Sequence, residues 1–351
     1  MMRSWKYLLS MLVGLLALSG CVRRDLLDPE LAAELRIRLL TDGVHNVTCD
    51  IYNPELPRPA LTSDKLRALI YNASGEKLLS QGFLSHKSYD AAGNEVLSDA
   101  ISLTSGDYRI VGYNFDVERT QIEHESKYST IRAIGTEIPR SYYTRFGTRT
   151  TKSEAIFFPP EHLLVAREEA LHVANHTGVK RIELDARTVV ETYYLQIRIS
   201  GLEHIASNAL PVGSLSGMSP WYYLGEDRHE ETISTSLYFE LQPSTDPRIE
   251  EENQDVICAL INTFGRIPES ESELSVTFSV LTRDGETHQK VVDMRPIFES
   301  QAAREHNWLL IDEVWEIPAP IFPDDSGNGG FNPEVDDWED IEEVIPIGPR
   351  T

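Results

Sequence analysis

Two histidines four residues apart are the first residues whose spacing suits chemistry. In HVANH, His172 and His176 would share one face of a helix, as the zinc ligands of many hydrolases do. That chemistry also needs a glutamate base directly after the first histidine, and Val173 stands there. GSLSG (213–217) has the outer glycines of a nucleophile elbow, but its centre is Leu215 where the nucleophile must be serine. A turn between strands is expected there instead. In DDSGNGG, Asp324, Ser326, Asn328 and Gly329 follow the start of a calcium loop, yet the position of its bidentate glutamate holds Val335. No phosphate-binding glycine loop and no dinucleotide fingerprint occurs. The chain is therefore read as non-enzymatic, with no catalytic residue, no metal and no cofactor.

Cys21 does carry a defined chemistry. Arg3 and Lys6 precede an uncharged apolar run from Leu8 to Leu18, then Ser19, Gly20 and Cys21. This is the order of a secretory signal, and the run is too short for a membrane span of roughly 20 residues. Leu18-Ser19-Gly20-Cys21 also has the form of a bacterial lipobox. Cleavage before Cys21 would remove residues 1–20, and lipid, including palmitate, would join the new N-terminus. More than one acyl chain holds a protein on a membrane stably, whereas a single chain holds it marginally. Cys49 and Cys258 remain. An oxidising envelope permits a disulfide between them. Their long separation favours two buried small apolar side chains instead, and pairing stays open.

The formal net charge of −24 becomes −26 once Arg3 and Lys6 are removed. A surface of that sign repels phosphate backbones, which excludes nucleic-acid binding.

The elements that must position any site are strands. Leu35, Ile37 and Leu39 alternate with Arg36 and Arg38, and Leu195, Ile197 and Ile199 alternate with Gln196, Arg198 and Ser200. Leu66, Ala68 and Ile70 follow the same rule before a turn at NASGEK. SGDYRIVGYNF reads as a turn and a strand. In LSVTFSVLTRDGETHQKVV, Leu274, Val276, Phe278 and Val280 share a face, and Asp284-Gly285 marks a hairpin. NWLLIDEVWEIP closes the series. SDKLRALI and PPEHLLVAREEAL are candidate helices, and the second fits a strand equally. The expected class is all-β, with two tandem β-sandwich domains and an irregular acidic C-terminal tail. The expected boundaries are a first domain at 21–175, a second at 176–317, with HVANHTGVK as the joint, and a Pro/Gly/acidic tail at 318–351.

In that tail, Phe331, Val335, Trp338, Ile341, Val344 and Ile345 lie among acids after a glycine joint. Their parity is too irregular for a well-formed strand, which fits a partner-docking segment that orders on contact. A disordered acidic tail is the alternative. Trp221, Tyr222 and Tyr223 read as sandwich core aromatics, with a sugar-stacking platform as the alternative. NVT (46–48) and NHT (175–177) match the glycosylation pattern and are read as chance behind a bacterial lipobox.

The lipobox with CVRRDL, then LTSGDYRIVGYN, GLEHIASNALPVGSLSGMS, ALINTFGRIPESESELSVTFSVLTRDG, LLIDEVWEIPAPI and GGFNPEVDDWEDIEEVIPI, occur in this order. In that order the chain resembles a family of Bacteroidota lipoproteins akin to the minor fimbrial anchor and accessory proteins of type V pili. The resemblance extends over most of the mature chain and contains no catalytic signature. It implies that both sandwiches are transthyretin-like. It also implies lipid attachment at Cys21 in the outer membrane, surface exposure, fimbrial subunits as partners, and a role in fimbria assembly and adhesion. The alternative is a surface lipoprotein of the same fold that binds glycan or protein and never polymerises.

Overall fold

The computed structural model describes residues 31–41, 63–114, 117–139, 155–244, 255–268 and 273–322. The first half holds β1 (Leu31–Leu39), β2 (Leu66–Asn72), β3 (Leu78–Leu84), β4 (His86–Tyr89), β5 (Glu95–Leu103) and β6 (Gly106–Asn114). It continues with β7 (Thr120–Glu123), β8 (Arg132–Gly135), β9 (Ile156–Phe157), β10 (Leu164–Val173) and β11 (Lys180–Thr188). The second half opens with β12 (Glu191–Ser200), β13 (Val212–Met218), β14 (Trp221–Tyr223), β15 (Arg228–His229) and β16 (Thr235–Glu240). There follow β17 (Gln242–Ser244), β18 (Asp255–Thr263), β19 (Ser275–Leu281), β20 (Thr287–Asp293), helices α1 (Arg295–Phe298) and α2 (Gln301–His306), and β21 (Trp308–Glu316). The fold is all-β, as its alternating sequence predicts.

β1 shows how sequence becomes structure. Leu31, Ala33, Leu35, Ile37 and Leu39 are buried, while Glu34, Arg36 and Arg38 stay half-buried on the other face. Period-two alternation sends successive side chains to opposite faces of a strand. β1 lies inside an eight-stranded sheet of order β3-β2-β6-β10-β11-β1-β5-β4. β3 and β4 are one run of chain broken only at Ser85, yet they hold opposite edges of this sheet. The sheet must therefore curl until its edges approach. Its inner face wraps one core that includes Leu35, Ile37, Leu66, Ile110, Leu164 and Ile182.

The second sandwich packs a sheet of order β17-β18-β12-β21 against one of order β20-β19-β13-β16-β9. Leu195, Ile197, Leu215, Phe239, Ile257, Val276 and Phe278 fill the space between them. The hairpin expected at Asp284-Gly285 joins β19 to β20. There the Thr282 amide donates to the Glu286 carbonyl at 2.9 Å, and Gly285 supplies a φ of 84°.

Several expectations are corrected. SDKLRALI enters β2, because Leu66, Ala68 and Ile70 face one core while Leu69 and Tyr71 face another. Burial on both faces fills consecutive positions with apolar residues and so imitates a helical stripe. PPEHLLVAREEAL enters β10 for its final part. GSLSG is not a turn but the body of β13. A Cβ at Gly213 would come within 2.4 Å of the Phe239 ring, and Gly217 (φ 81°) lies in a register shift between Leu215 and Met218.

The boundary expected at 175/176 falls inside the β10–β11 connection. β10 and β11 are neighbours in the curled sheet, paired from Leu164↔Thr188 to Ala166↔Ala186. Sheet membership changes after Thr188 instead. HVANHTGVK carries turn chemistry, which reads the same for a hairpin as for a linker. The halves also interlock. β9 precedes this point yet pairs in parallel with β16, and β8 pairs with β14 in a four-stranded sheet of order β15-β14-β8-β7. Tyr71, Val111, Tyr113 and Val165 on the outer face of the curled sheet pack with Ile131, Val190, Leu224 and Phe264 at this junction.

Candidate functional site

The chain enters the described fold at Leu31, ten residues after Cys21, a gap that spans at most roughly 35 Å when extended. Cys21 itself lies outside the described residues. Leu31 pairs with Leu103, and Ala33 with Lys180, so the entry end carries the β5–β6 and β10–β11 turns. The two histidines of HVANH lie here and serve the turn. His172 Nδ1 sits 2.7 Å from Asp107 Oδ1, and the Lys180 ammonium donates to the His172 carbonyl at 2.9 Å. The His176 ring meets the carbonyls of Ala174 and Ala32, both at 3.1 Å. Among the described residues, no group of three His, Cys, Asp or Glu is placed to hold a metal ion.

The aromatic triplet lies at the junction of the two halves. The Arg132 guanidinium covers the Trp221 ring at 4.3 Å, and Arg228 covers Tyr223 at 4.2 Å. The Tyr222 ring packs 6.4 Å from Phe264, and its hydroxyl donates to Asp227, which also pairs with Arg167 of β10. Burial, aided by Asp227, pushes the Tyr222 phenol up. All three rings are half-buried, each with one neighbour on its ring, a cation for Trp221 and Tyr223 and Phe264 for Tyr222, and of the three Tyr222 packs against the junction core. The packing is tight enough to test. A Cβ at Gly225 would fall 2.2 Å from the Tyr128 carbonyl oxygen, a backbone atom that cannot rotate away. Gly225→Ala should therefore cost about 1–3 kcal/mol by overpacking, read as a lower melting temperature.

The chain leaves the second sandwich at the far end of β21. The Ile317 amide donates to the Ser200 carbonyl and its own carbonyl lies 2.9 Å from His204 Nδ1. Gly201 (φ 79°) permits this approach, since a Cβ there would stand 2.6 Å from the Ile317 oxygen. Four residues on, the Ile321 amide donates to Asp284 at 2.8 Å, and the Thr282 hydroxyl donates to the same carboxylate at 2.6 Å. The Thr282 hydroxyl and the Ile321 amide together hold Asp284 down to about 2. Beside this tie, a groove of about 380 Å³ is lined by residues that include Leu210, Val212, Tyr238, Leu281 and Thr287. Leu210 (52% exposed), Ile321 (84%) and Phe322 (61%) present apolar surface here.

The candidate docking residues Phe331, Val335, Trp338, Ile341, Val344 and Ile345, and the DDSGNGG loop, lie outside the described residues. So does Cys49. Cys258 is a buried free thiol, its sulfur 3.6 Å from the Gln242 carbonyl oxygen. That matches the expectation of a small apolar side chain. Sequence reasoning missed the exit cluster. Its only signal was apolar residues beside turns, at Leu210, Leu281 and Phe322.

A curled sheet and a sandwich, tied by a shared sheet and with entry and exit on separate sandwiches, define a class of two-sandwich all-β proteins. Residues 59–240 match the family described as Domain of unknown function (DUF5119), and the chain belongs to that family. The matched span runs from just before β2 to the end of β16, and so includes the whole shared sheet. A Bacteroides ovatus protein named "Putative fimbrium anchoring subunit Fim4B" is 25% identical over 376 residues, 99% of this chain and 100% of its own length. A crystal structure of a "putative adhesin" from Bacteroides ovatus has the same fold. Its TM-score is 0.55 at 20% identity, covering 87% of this chain and 99% of that one. The fimbrial anchor protein Mfa2 from Porphyromonas gingivalis is more distant, with a TM-score of 0.43 at 13% identity over 78% of this chain and 85% of its own.

Proposed function

We propose that this protein is a non-enzymatic anchor subunit of a fimbria, held at the outer membrane by lipid on Cys21 and exposed at the cell surface. The observation that carries this reading is the end-to-end similarity to the relative named as a fimbrium anchoring subunit. The lipobox supplies the membrane attachment, and the two sandwiches supply a spacer. The first sandwich is built from strands between Leu31 and Thr188, the second from β9 and the strands between Glu191 and Glu316, and the tail follows. At the exit end the apolar patch of Leu210, Leu281, Ile321 and Phe322 adjoins the start of that tail, which suits a surface covered by another subunit. The segment containing Phe331, Val335, Trp338, Ile341, Val344 and Ile345 docks on that subunit.

Truncation after Phe322 tests the docking. Every described strand lies before that point, so the truncated chain should keep its melting temperature. Recovery of the fimbrial partner in a pull-down from native outer membranes should fall. Equal recovery with the truncated and full-length chains contradicts docking by the tail. A large loss of melting temperature assigns the tail to the fold instead.

A further inference from the structure

The strand connectivity has a mechanical consequence. β1 is parallel to β11 over seven pairs, from Ala33↔Lys180 to Leu39↔Ala186. β11 passes through Val189 and Val190 directly into β12. β12 is in turn parallel to β21, from Tyr194↔Trp308 to Ser200↔Glu316. The chain thus enters at the N-terminal end of β1 and leaves at the C-terminal end of β21.

We propose that β1/β11 and β12/β21 are two lap joints in series that carry tension between the N-terminus and the C-terminal tail. Tension pulls β1 by its N-terminal end and β11 by its C-terminal end. In a parallel pair those are opposite ends, so the strands are loaded in shear along their length. The hydrogen bonds between them run across the strands and must yield together, not one after another. The same holds for β12, pulled through its N-terminal end by the linker, and β21, pulled by its C-terminal end. Adjacent ends, pulled apart, would unzip pair by pair at lower force.

The joints are unequal. β1 is held on both sides, since β5 pairs with it from Leu31↔Leu103 to Arg38↔Val96. Its inward side chains Leu35 and Ile37 are fully buried. β21 is an edge strand whose one strand partner among the described residues is β12, and its register slips between Ile197 and Ile199. The second joint should therefore fail first, while the joint next to the membrane holds. The shared sheet adds a short further tie, Trp221–Tyr223 against Arg132–Ile134. The purpose assigned to these joints rests on the anchoring reading. The joints themselves do not, and their test needs no lipid.

The experiment is single-molecule force spectroscopy on the mature chain, with a handle in place of the lipid at residue 21. One attachment pair is residue 21 and Thr351. The other is residue 21 and Thr177→Cys in a Cys49→Ser background, which places the second handle in the β10–β11 turn near the N-terminal end of β1. End-to-end pulling should need a several-fold higher force than pulling from the turn. Its first rupture should release a length matching Glu191–Glu316. Equal forces in the two geometries overturn the proposal, as does a first rupture that releases Leu31–Thr188. A Cys21→Ala chain that is mature and still membrane-bound, with these forces unchanged, would fault the anchoring reading and leave the joints standing.

Discussion

Replacing Cys21 by alanine is expected to move the protein out of the membrane fraction, or to leave it as an uncut precursor that still carries residues 1–20. The apolar run from Leu8 to Leu18 is too short for a membrane span and would be removed with residues 1–20 on maturation. Among the described residues no helix is long and apolar enough to cross a membrane. Attachment then depends on acyl chains at one residue, each contributing about 0.8 kcal/mol per buried methylene. Removing the only acceptor removes all of it. Fractionation with mass spectrometry of the N-terminus reads the outcome. Mature alanine variant that stays membrane-bound would contradict the lipid anchor.

The second large effect is on stability. Glu125 lies in the loop after β7, and its carboxylate accepts from two groups on the curled sheet. The Tyr113 hydroxyl donates to Glu125 Oε1 at 2.5 Å, and the Arg67 guanidinium to Oε2 at 2.6 Å. Tyr113 is fully buried, and burial, aided by the Glu125 carboxylate, pushes its phenol up. Hydrogen bonds to charged groups are worth about 1.5–3 kcal/mol each, and a buried donor left alone costs its desolvation. The side chains of Arg67 and Glu125 are about a quarter exposed (27% and 24%), so water recovers part of the loss. Glu125→Ala should cost roughly 2–4 kcal/mol. At roughly 2–4 °C per kcal/mol that is a fall in melting temperature of about 4–16 °C. Tyr113→Phe should then cost less in the alanine background than in the wild type, because the orphaned hydroxyl is already a penalty. Strict additivity of the two substitutions would contradict the network.

Much of this fold is legible in the sequence wherever a strand has one wet face. β1 shows it, as does β21 in NWLLIDEVWEIP. Legibility is poorer where both faces are covered. β2 lies between two cores, so its residues fit a strand and a helix alike, and β12 is legible as a strand although its buried Gln196 does not mark a wet face. The interlock was invisible for another reason. Trp221 meets Ile134, and Ile156 meets Ser236, through pairings that no local pattern announces. A boundary at HVANHTGVK followed naturally from turn chemistry, yet the turn joins two neighbours of one sheet. The expectation at Cys21 rests on a lipobox, which is a local signal, and Cys21 lies outside the described residues. The exit groove was not legible, because Leu210 and Leu281, from separate segments, come together on it only in the folded chain.

The account stands most directly on where the fimbriae go when this protein is absent. If the protein is the anchor, deleting its gene leaves the other subunits able to associate but without a tie to the membrane. Fimbriae should then pass from the cell fraction into the medium, and restoring the wild-type chain, but not the Cys21→Ala chain, should return them to the cells. Fimbriae that remain cell-bound in normal amount after deletion would contradict it.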